Sequence, residues 1–97
     1  MVINNLLIKL KNRDSESIAE AVRVLKNLEG NIPVLLCSKV KTDIRAGESG
    51  YDIMLINTFA SADDIKKYLE HPVHVEVAKF IVAAMDASAS FCYDVDK

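Results

Sequence analysis

Several residue types are scarce in this chain, and the scarcity of glycine and cysteine excludes particular kinds of site. Its 97 residues include no tryptophan, three glycines, two prolines and two cysteines. Three glycines do not build a glycine-rich phosphate-binding loop, and no Gly-x-Ser-x-Gly elbow is present to hold a nucleophilic serine. The two cysteines, Cys37 and Cys92, are far apart in sequence and lack the spacing of a metal site, so we expect free thiols.

An excess of charge and a long apolar run are also lacking. The formal net charge is -2 and the basic residues are scattered, so no nucleic-acid partner is expected. No apolar run approaches the ~20 residues of a membrane span, and Lys9 and Lys11 in the first apolar segment argue against a signal peptide. With an apolar fraction of 51%, the sequence indicates one globular domain over residues 1–97, cytoplasmic and without a membrane partner.

The spacing of the apolar residues changes along the chain, between the alternation typical of strands and the spacing typical of helices. Alternating or apolar runs bounded by turn residues predict four strands, and a polar stretch between the second and third predicts a loop. The strands cover residues 2–11, 33–41, 51–59 and 88–95, and the loop covers residues 42–50.

A first helix is predicted between the first two strands. Asp14 or Ser15 is its N-cap, and Gly30 stands where a C-terminal cap belongs. The apolar residues that recur at helical spacing form its buried side, namely Ile18, Val22, Leu25 and Leu28.

A second helix is predicted before the last strand, and Pro72 divides it. Ser61 opens this helix, and Asp64 has the spacing of a capping box. Pro72 ends or kinks the helix near His71, and it also suits the first turn of a new helix that runs to about Met85.

The resulting order is βαββαβ with a broken second helix, which predicts the α+β class and a ferredoxin-like fold. In that fold an antiparallel sheet has both helices on one face. The expected strand order 4-1-3-2 puts Cys37 and Cys92 on opposite edges of the sheet, about three strand spacings apart, which is too far for a disulfide.

The central strands are apolar on both faces, although helices can cover only one. In the third strand Ile53 and Leu55 share one face, and Met54 and Ile56 share the other. Because an exposed apolar sheet face is unfavourable in a soluble monomer, we expect a homodimer that packs sheet against sheet. The alternative is that a curled sheet and its loops cover this face within one chain.

Residues 68–75 are the only segment of the sequence whose clustered side chains could catalyse a reaction. It holds both histidines of the chain, His71 and His74, together with Tyr68 and Pro72. Histidine exchanges protons near neutral pH, because its unperturbed pKa is roughly 6.5. In a continuous helix Tyr68 and His74 would be about 600° apart, or 240° net, so only the break at Pro72 could bring both toward one cavity.

This segment resembles the His-Pro-x-His signature of the stress-responsive α/β barrel (Dabb) domain family. Residues 28–33, residues 50–52 with Phe59, and residues 91–94 are similar to other parts of that family's pattern. The resemblance covers nearly the whole chain. It implies a dimeric α/β barrel, in which the sheets of two copies form a barrel-like interface, and a pocket between the sheet and the helices.

The resemblance also implies chemistry for two residues. Some plant members are polyketide cyclases in which a tyrosine and the second histidine of this segment close a ring without a cofactor, and these map onto Tyr68 and His74. The chain departs from the family where many members have a first-strand histidine, since Asn4 and Asn5 are in that region. It also has Val34 in place of the usual glycine.

These observations give a candidate site with His74 as general base and Tyr68 as hydrogen-bond donor to a developing enolate. We expect the pocket to bind a small apolar or carbonyl compound without cofactor or metal. Its expected ligand-binding residues are His71, Ile53, Leu55, Phe80 and Ile81.

Structural roles are the alternative for each polar member of this site. His71 can cap the helix that starts at Pro72, His74 can hydrogen-bond a backbone carbonyl, and Tyr68 can be a core ring. A zinc site is disfavoured because no further residues complete the ligand set of the two histidines.

Three hypotheses for function remain open from the sequence. The first is a small-molecule-binding protein that catalyses cofactor-free proton transfer or a polyketide-type cyclisation. The second is a non-enzymatic stress or interaction protein. The third is a cofactor-free monooxygenase of the related dimeric α/β-barrel type.

Overall fold

The computed structural model describes residues 1–45 and 50–96 of the chain. The elements are β1 (Val2–Leu10), α1 (Ser15–Leu25), β2 (Cys37–Thr42), β3 (Ile53–Phe59), α2 (Ala62–Glu70), α3 (Pro72–Ala84) and β4 (Met85–Asp94). The βαββαβ order with a broken second helix is therefore confirmed. Residues 46–49 of the predicted loop lie outside the described residues.

The strands form one antiparallel sheet in the order β2-β3-β1-β4. This is the expected order 4-1-3-2, read from the other edge. Cys37 on β2 and Cys92 on β4 are consequently on opposite edge strands, and both are free thiols. The fold is the ferredoxin-like α+β fold.

One face of the sheet packs on the helices and forms the core. Along β3 the buried positions alternate, so Ile53, Leu55, Asn57 and Phe59 all point toward the helices. Ile8 and Leu10 of β1 are on the same face, and helix residues such as Leu25, Tyr68, Val77 and Ile81 complete the cluster. Burying these side chains supplies most of the free energy that stabilises the fold.

The first helix is shorter than its sequence predicts. Its N-cap is Asp14, whose carboxylate accepts a hydrogen bond from the Ser17 amide at 2.8 Å. The helix ends at Leu25, because the next turn is tightened: the Leu28 amide donates to the Leu25 carbonyl, three residues back. The prediction that Gly30 caps the helix is wrong. Gly30 lies in the following turns with φ of 83°, a conformation that glycine adopts without strain.

The second strand also begins later than predicted, at Cys37 instead of residue 33. Ile32 and Leu35 are both buried, and they are joined by a turn in which the Leu35 amide donates to the Ile32 carbonyl. An extended strand would place residues three apart on opposite faces, so the turn is what allows both side chains to enter the core.

The break in the second helix lies where the sequence predicts it. Helix α2 ends at Glu70, His71 is extended, and Pro72 is the first residue of α3. The capping box at Ser61 is a wrong prediction: the Asp64 amide donates to the Ser61 backbone carbonyl at 3.2 Å, and the Ser61 side chain makes no cap hydrogen bond. Strand β4 starts at Met85, directly after α3 and earlier than predicted.

The other face of the sheet contributes nothing to the described core cluster. The strand register places on it Ile3 and Leu7 of β1, Met54 and Ile56 of β3, and Phe91 and Tyr93 of β4. Phe91 is 70% exposed and Tyr93 is 42% exposed. This second apolar face is the one that the sequence predicts. Within the described residues, no helix is long and apolar enough to cross a membrane.

Candidate functional site

The break between α2 and α3 brings Tyr68 and His74 side by side. Tyr68 is in the last turn of α2 and His74 is in the first turn of α3. Their ring centroids are 4.5 Å apart, with the planes tilted by 55°. The helix axis changes direction at His71 and Pro72, so the 240° separation that a continuous helix would impose does not apply here.

Tyr68 is a buried ring with a polar end. It is 4% exposed and packs edge-on against Phe59, with ring centroids 5.1 Å apart. Its hydroxyl oxygen accepts a hydrogen bond from Asn57 Nδ2 at 3.1 Å. Burial raises the pKa of Tyr68 to about 12, and the hydrogen bond from Asn57 opposes this rise. The phenol therefore keeps its proton at neutral pH and can act as a hydrogen-bond donor.

His74 is held by the backbone of the preceding helix. Its Nδ1 is 3.0 Å from the Leu69 carbonyl oxygen. A carbonyl oxygen only accepts hydrogen bonds, so Nδ1 carries the proton in the neutral ring and Nε2 keeps the lone pair. Burial lowers the pKa of His74 below its ordinary value of 6.5, and the hydrogen bond to Leu69 acts in the opposite direction. Near pH 7 the imidazole is thus neutral, with a basic Nε2.

Both side chains line a cavity of about 130 Å³ between the sheet and the helices. Its other walls are almost entirely apolar: Leu6, Leu25, Leu28, Leu55, Val77, Ala78, Ile81, Val82, Met85 and Ser88. A shallower outer groove of about 570 Å³ runs along α3 and shares His74, Ala78 and Val82 with this cavity. His74 is therefore situated where the cavity meets the outer groove.

The structure brings together some of the expected site residues and separates others. Leu55 and Ile81 line the cavity with Tyr68 and His74. Ile53, Phe80 and His71 are not among its lining residues. Ile53 lies two residues before Leu55 on β3, about 6.8 Å away along the strand, where it is buried in the core.

Phe80 and His71 have other surroundings. Phe80 is next to Ile81 on α3 and therefore points about 100° away, into a separate groove between α3 and α1. His71 is the N-cap of α3: its Nδ1 accepts a hydrogen bond from the Val73 amide at 3.1 Å. The capping alternative for His71 is the contact observed.

Sequence reasoning missed the polar partner of Tyr68, Asn57. Asn57 is 2% exposed and points to the helices from β3. Its Oδ1 accepts a hydrogen bond from the Ser38 hydroxyl at 2.6 Å. The signal was available, because Asn57 interrupts an otherwise apolar alternation of Ile53, Leu55 and Phe59. Of Asn4 and Asn5 on the first strand, only Asn4 faces the helices, directly opposite Asn57.

A larger surface groove, of about 860 Å³, is elsewhere and contains a structural ion pair. It lies between α1 and the residues flanking the β2–β3 connection. At its edge the fully buried Asp52 carboxylate accepts from the Leu10 amide at 2.9 Å and from Arg13 Nε at 3.0 Å. These bonds tie the start of β3 to the end of β1, so we assign Asp52 to the fold. No group of three or more His, Cys, Asp or Glu in residues 1–45 and 50–96 could hold a metal ion.

An antiparallel sheet with its helices on one face, and a tyrosine–histidine pair under the sheet, defines a ferredoxin-like protein with an internal pocket. The chain belongs to the Stress Responsive A/B Barrel Domain (Dabb) family, whose pattern it matches over residues 5–96. No curated protein is significantly similar to it.

Several solved structures share this fold. A dimeric protein of unknown function from Bacteroides fragilis, with a ferredoxin-like fold, is 26% identical, with a TM-score of 0.81 over 96% of this chain and 94% of that one. The hydroxynitrile lyase from Passiflora edulis is 21% identical, with a TM-score of 0.79 over 95% and 90% of the two chains. An antibiotic biosynthesis monooxygenase is 11% identical, with a TM-score of 0.77 over 98% of each chain. The last two likenesses show the fold alone.

Proposed function

We propose that this protein binds a small apolar carbonyl compound in the 130 Å³ cavity and catalyses a proton transfer on it without a cofactor. The proposal rests on two neighbouring side chains whose protonation states suit a proton transfer. A protonated phenol, Tyr68, and a neutral imidazole, His74, are in contact and line the same apolar cavity. Neighbouring acid and base groups whose pKa values are shifted in this way are typical of proton-transfer sites.

The proposed step uses both residues directly. Nε2 of His74 removes a proton from the carbon next to the substrate carbonyl, and the C–H electron pair moves toward the carbonyl oxygen. Tyr68 donates its O–H hydrogen bond to that oxygen, which becomes an enolate. The apolar walls lower the local dielectric and so strengthen this hydrogen bond. If the substrate has a second carbonyl, the enolate carbon can attack it and close a ring, as in a polyketide-type cyclisation.

The size of the cavity limits the substrate. An engineered apolar cavity of about 150 Å³ accommodates benzene, so the cavity here suits a single ring or a short branched chain. A longer substrate would extend past Val82 into the outer groove.

Hydrogen–deuterium exchange on 2,4-pentanedione tests the proposal, because its central C–H lies between two carbonyls. The protein is expected to accelerate exchange at this carbon in D2O, measured by proton NMR. His74→Gln should reduce the acceleration about 100-fold or more, as for loss of a general base. Tyr68→Phe should reduce it to a lesser degree, and Tyr93→Phe, on the other sheet face, is the matched control.

Exchange that is equally fast with His74→Gln would refute the base assignment. No acceleration by the wild-type protein, with an intact fold, would favour the non-enzymatic hypothesis. Oxygen uptake with a quinol would instead favour a monooxygenase, the activity named for one protein of the same fold.

We also propose that the protein is a homodimer formed through the open sheet face. The apolar residues on that face support this, and the similar Bacteroides fragilis protein is described as dimeric.

A further inference from the structure

The side-chain amide of Asn57 is buried at a position of β3 where an apolar side chain would be expected. Asn57 is 2% exposed, and its neighbours on the same face of β3 are Leu55 and Phe59. A buried amide is costly unless it is hydrogen-bonded, and a leucine or valine would suit this position better. Asn57 makes two hydrogen bonds, which offset this cost.

The lengths of these bonds identify which end of the amide faces which partner. The contact with the Ser38 hydroxyl is 2.6 Å, and the contact with the Tyr68 hydroxyl is 3.1 Å. Lengths near 2.6 Å are typical of O–H···O bonds, and N–H···O bonds are usually about 2.9–3.0 Å. The amide oxygen of Asn57 therefore faces Ser38, and its nitrogen faces Tyr68.

This orientation determines what Tyr68 can do with its single hydroxyl proton. An amide nitrogen only donates, so the Tyr68 oxygen accepts from Asn57 and its own O–H is not used there. Among the described residues, no group accepts a hydrogen bond from the Tyr68 O–H. If the amide were reversed, Tyr68 would donate its proton to the Asn57 oxygen, and that proton would not be available to a ligand in the cavity.

We propose that Asn57, fixed by Ser38, is a positioning residue that directs the Tyr68 O–H into the cavity, toward the carbonyl oxygen of a bound ligand. The inference rests on the proposed function for its purpose, although the orientation itself can be tested without a ligand. The hydrogen bond from Asn57 also lowers the pKa of Tyr68 against the larger effect of burial, which makes the phenol a better donor.

The first test reads the side-chain amide of Asn57 by NMR in the ligand-free protein. Tyr68→Phe removes the atom that the Asn57 N–H contacts, so the Asn57 amide proton signals should move clearly. Ser38→Ala removes a contact to the oxygen only, and it should move them less. The opposite pattern, with Ser38→Ala causing the larger change, would mean a reversed amide and would overturn the proposal.

The second test uses a bound ketone to determine whether the Tyr68 O–H donates a hydrogen bond into the cavity. Cyclohexanone has one carbonyl and a size that suits the cavity, and its C=O stretching band moves to lower frequency when the oxygen accepts a hydrogen bond. The wild-type protein should show this displaced band by infrared difference spectroscopy. Asn57→Asp keeps the shape of the side chain but offers only acceptors to Tyr68 and Ser38 if ionised. It should abolish the displacement and weaken binding about fivefold, as for loss of one hydrogen bond.

The matched control is Asn4→Asp. Asn4 is directly opposite Asn57 on the neighbouring strand and on the same sheet face, and its side chain has no hydrogen-bond partner among the described residues. The Asn4→Asp variant should keep the displaced C=O band of cyclohexanone. A band that stays displaced in Asn57→Asp overturns the positioning role and leaves the proposed function intact. If the wild-type protein does not bind cyclohexanone, this ligand assignment fails, and the NMR comparison still decides the orientation of Asn57.

Discussion

At the scale of single residues, burial shifts the pKa values of the two groups of the candidate site in opposite directions. Burial disfavours the charged form of any side chain, so it keeps the phenol of Tyr68 protonated and the imidazole of His74 neutral. Both are the forms that a proton transfer to His74 requires. In the proposed function, the apolar walls of the cavity would thus favour the reactive forms of both groups as well as the fit of a ligand.

The lowered pKa of His74 predicts how stability depends on pH. In the unfolded chain His74 titrates near 6.5, and in the folded protein it titrates lower. Between these values the unfolded state binds more protons, so the free energy of unfolding increases with pH and levels off above the unfolded pKa. We therefore expect the protein to lose stability as the pH falls from 7.5 to 5.5, because His74 must be buried without its proton.

Urea unfolding at several pH values checks this prediction against His74→Gln. The variant retains His71 and the carboxylates, so only the contribution of His74 should disappear from its pH profile. Parallel profiles for the two proteins would show that His74 titrates alike in the folded and unfolded states.

At the scale of secondary structure, the break between α2 and α3 is the feature that builds the site. Pro72 has no amide hydrogen and fits the first turn of a helix, and His71 satisfies the Val73 amide. The break depends on both residues, because Pro72 prevents α2 from continuing and His71 starts α3. The position of His74 relative to Tyr68 follows from this junction.

Substitutions at His71 test its role as a cap. His71→Ala should lower the free energy of unfolding by about 1 kcal/mol, the usual cost of losing a helix N-cap. His71→Asn should retain most of the stability, since asparagine is among the preferred N-caps. Chemical denaturation of both variants at pH 7.5 measures the difference. Equal losses for alanine and asparagine would contradict capping as the source of the effect.

At the scale of the whole molecule, the sheet separates two apolar surfaces with different uses. One is covered by the helices and encloses the core and the cavity. The other presents Phe91 and Tyr93 to the outside in a single chain. A second copy, packed face to face, would bury this surface without altering the cavity on the other side of the sheet.

A charge on the open face should separate such a dimer. Phe91 is 70% exposed and on the open face, so Phe91→Asp should give a monomer in light scattering after size exclusion. Val82 on α3 is 62% exposed and on the helix side, so Val82→Asp should leave the dimer intact. A wild-type protein that is monomeric at micromolar concentration, or a dimer that tolerates Phe91→Asp, would contradict the proposed interface.

Some features of this protein are determined by the sequence itself, because they depend on local chemistry. Strand and helix periods follow from which residues must be buried, so the βαββαβ order, the break at Pro72 and the second apolar face of the sheet were predictable. The Asp14 cap and the His71 cap are also local, since each satisfies an amide two or three residues away.

Other features depended on the tertiary structure. Ile32 and Leu35 form a turn because both side chains reach the core, a requirement that the local sequence does not reveal. Phe80 and Ile81 are adjacent in sequence, yet only Ile81 lines the cavity. The contact of Asn57 with Tyr68 joins β3 to α2, and the tautomer of His74 depends on a carbonyl of the preceding helix. Hydrogen bonds of this kind depend on distances and angles between elements, which only the packed fold defines.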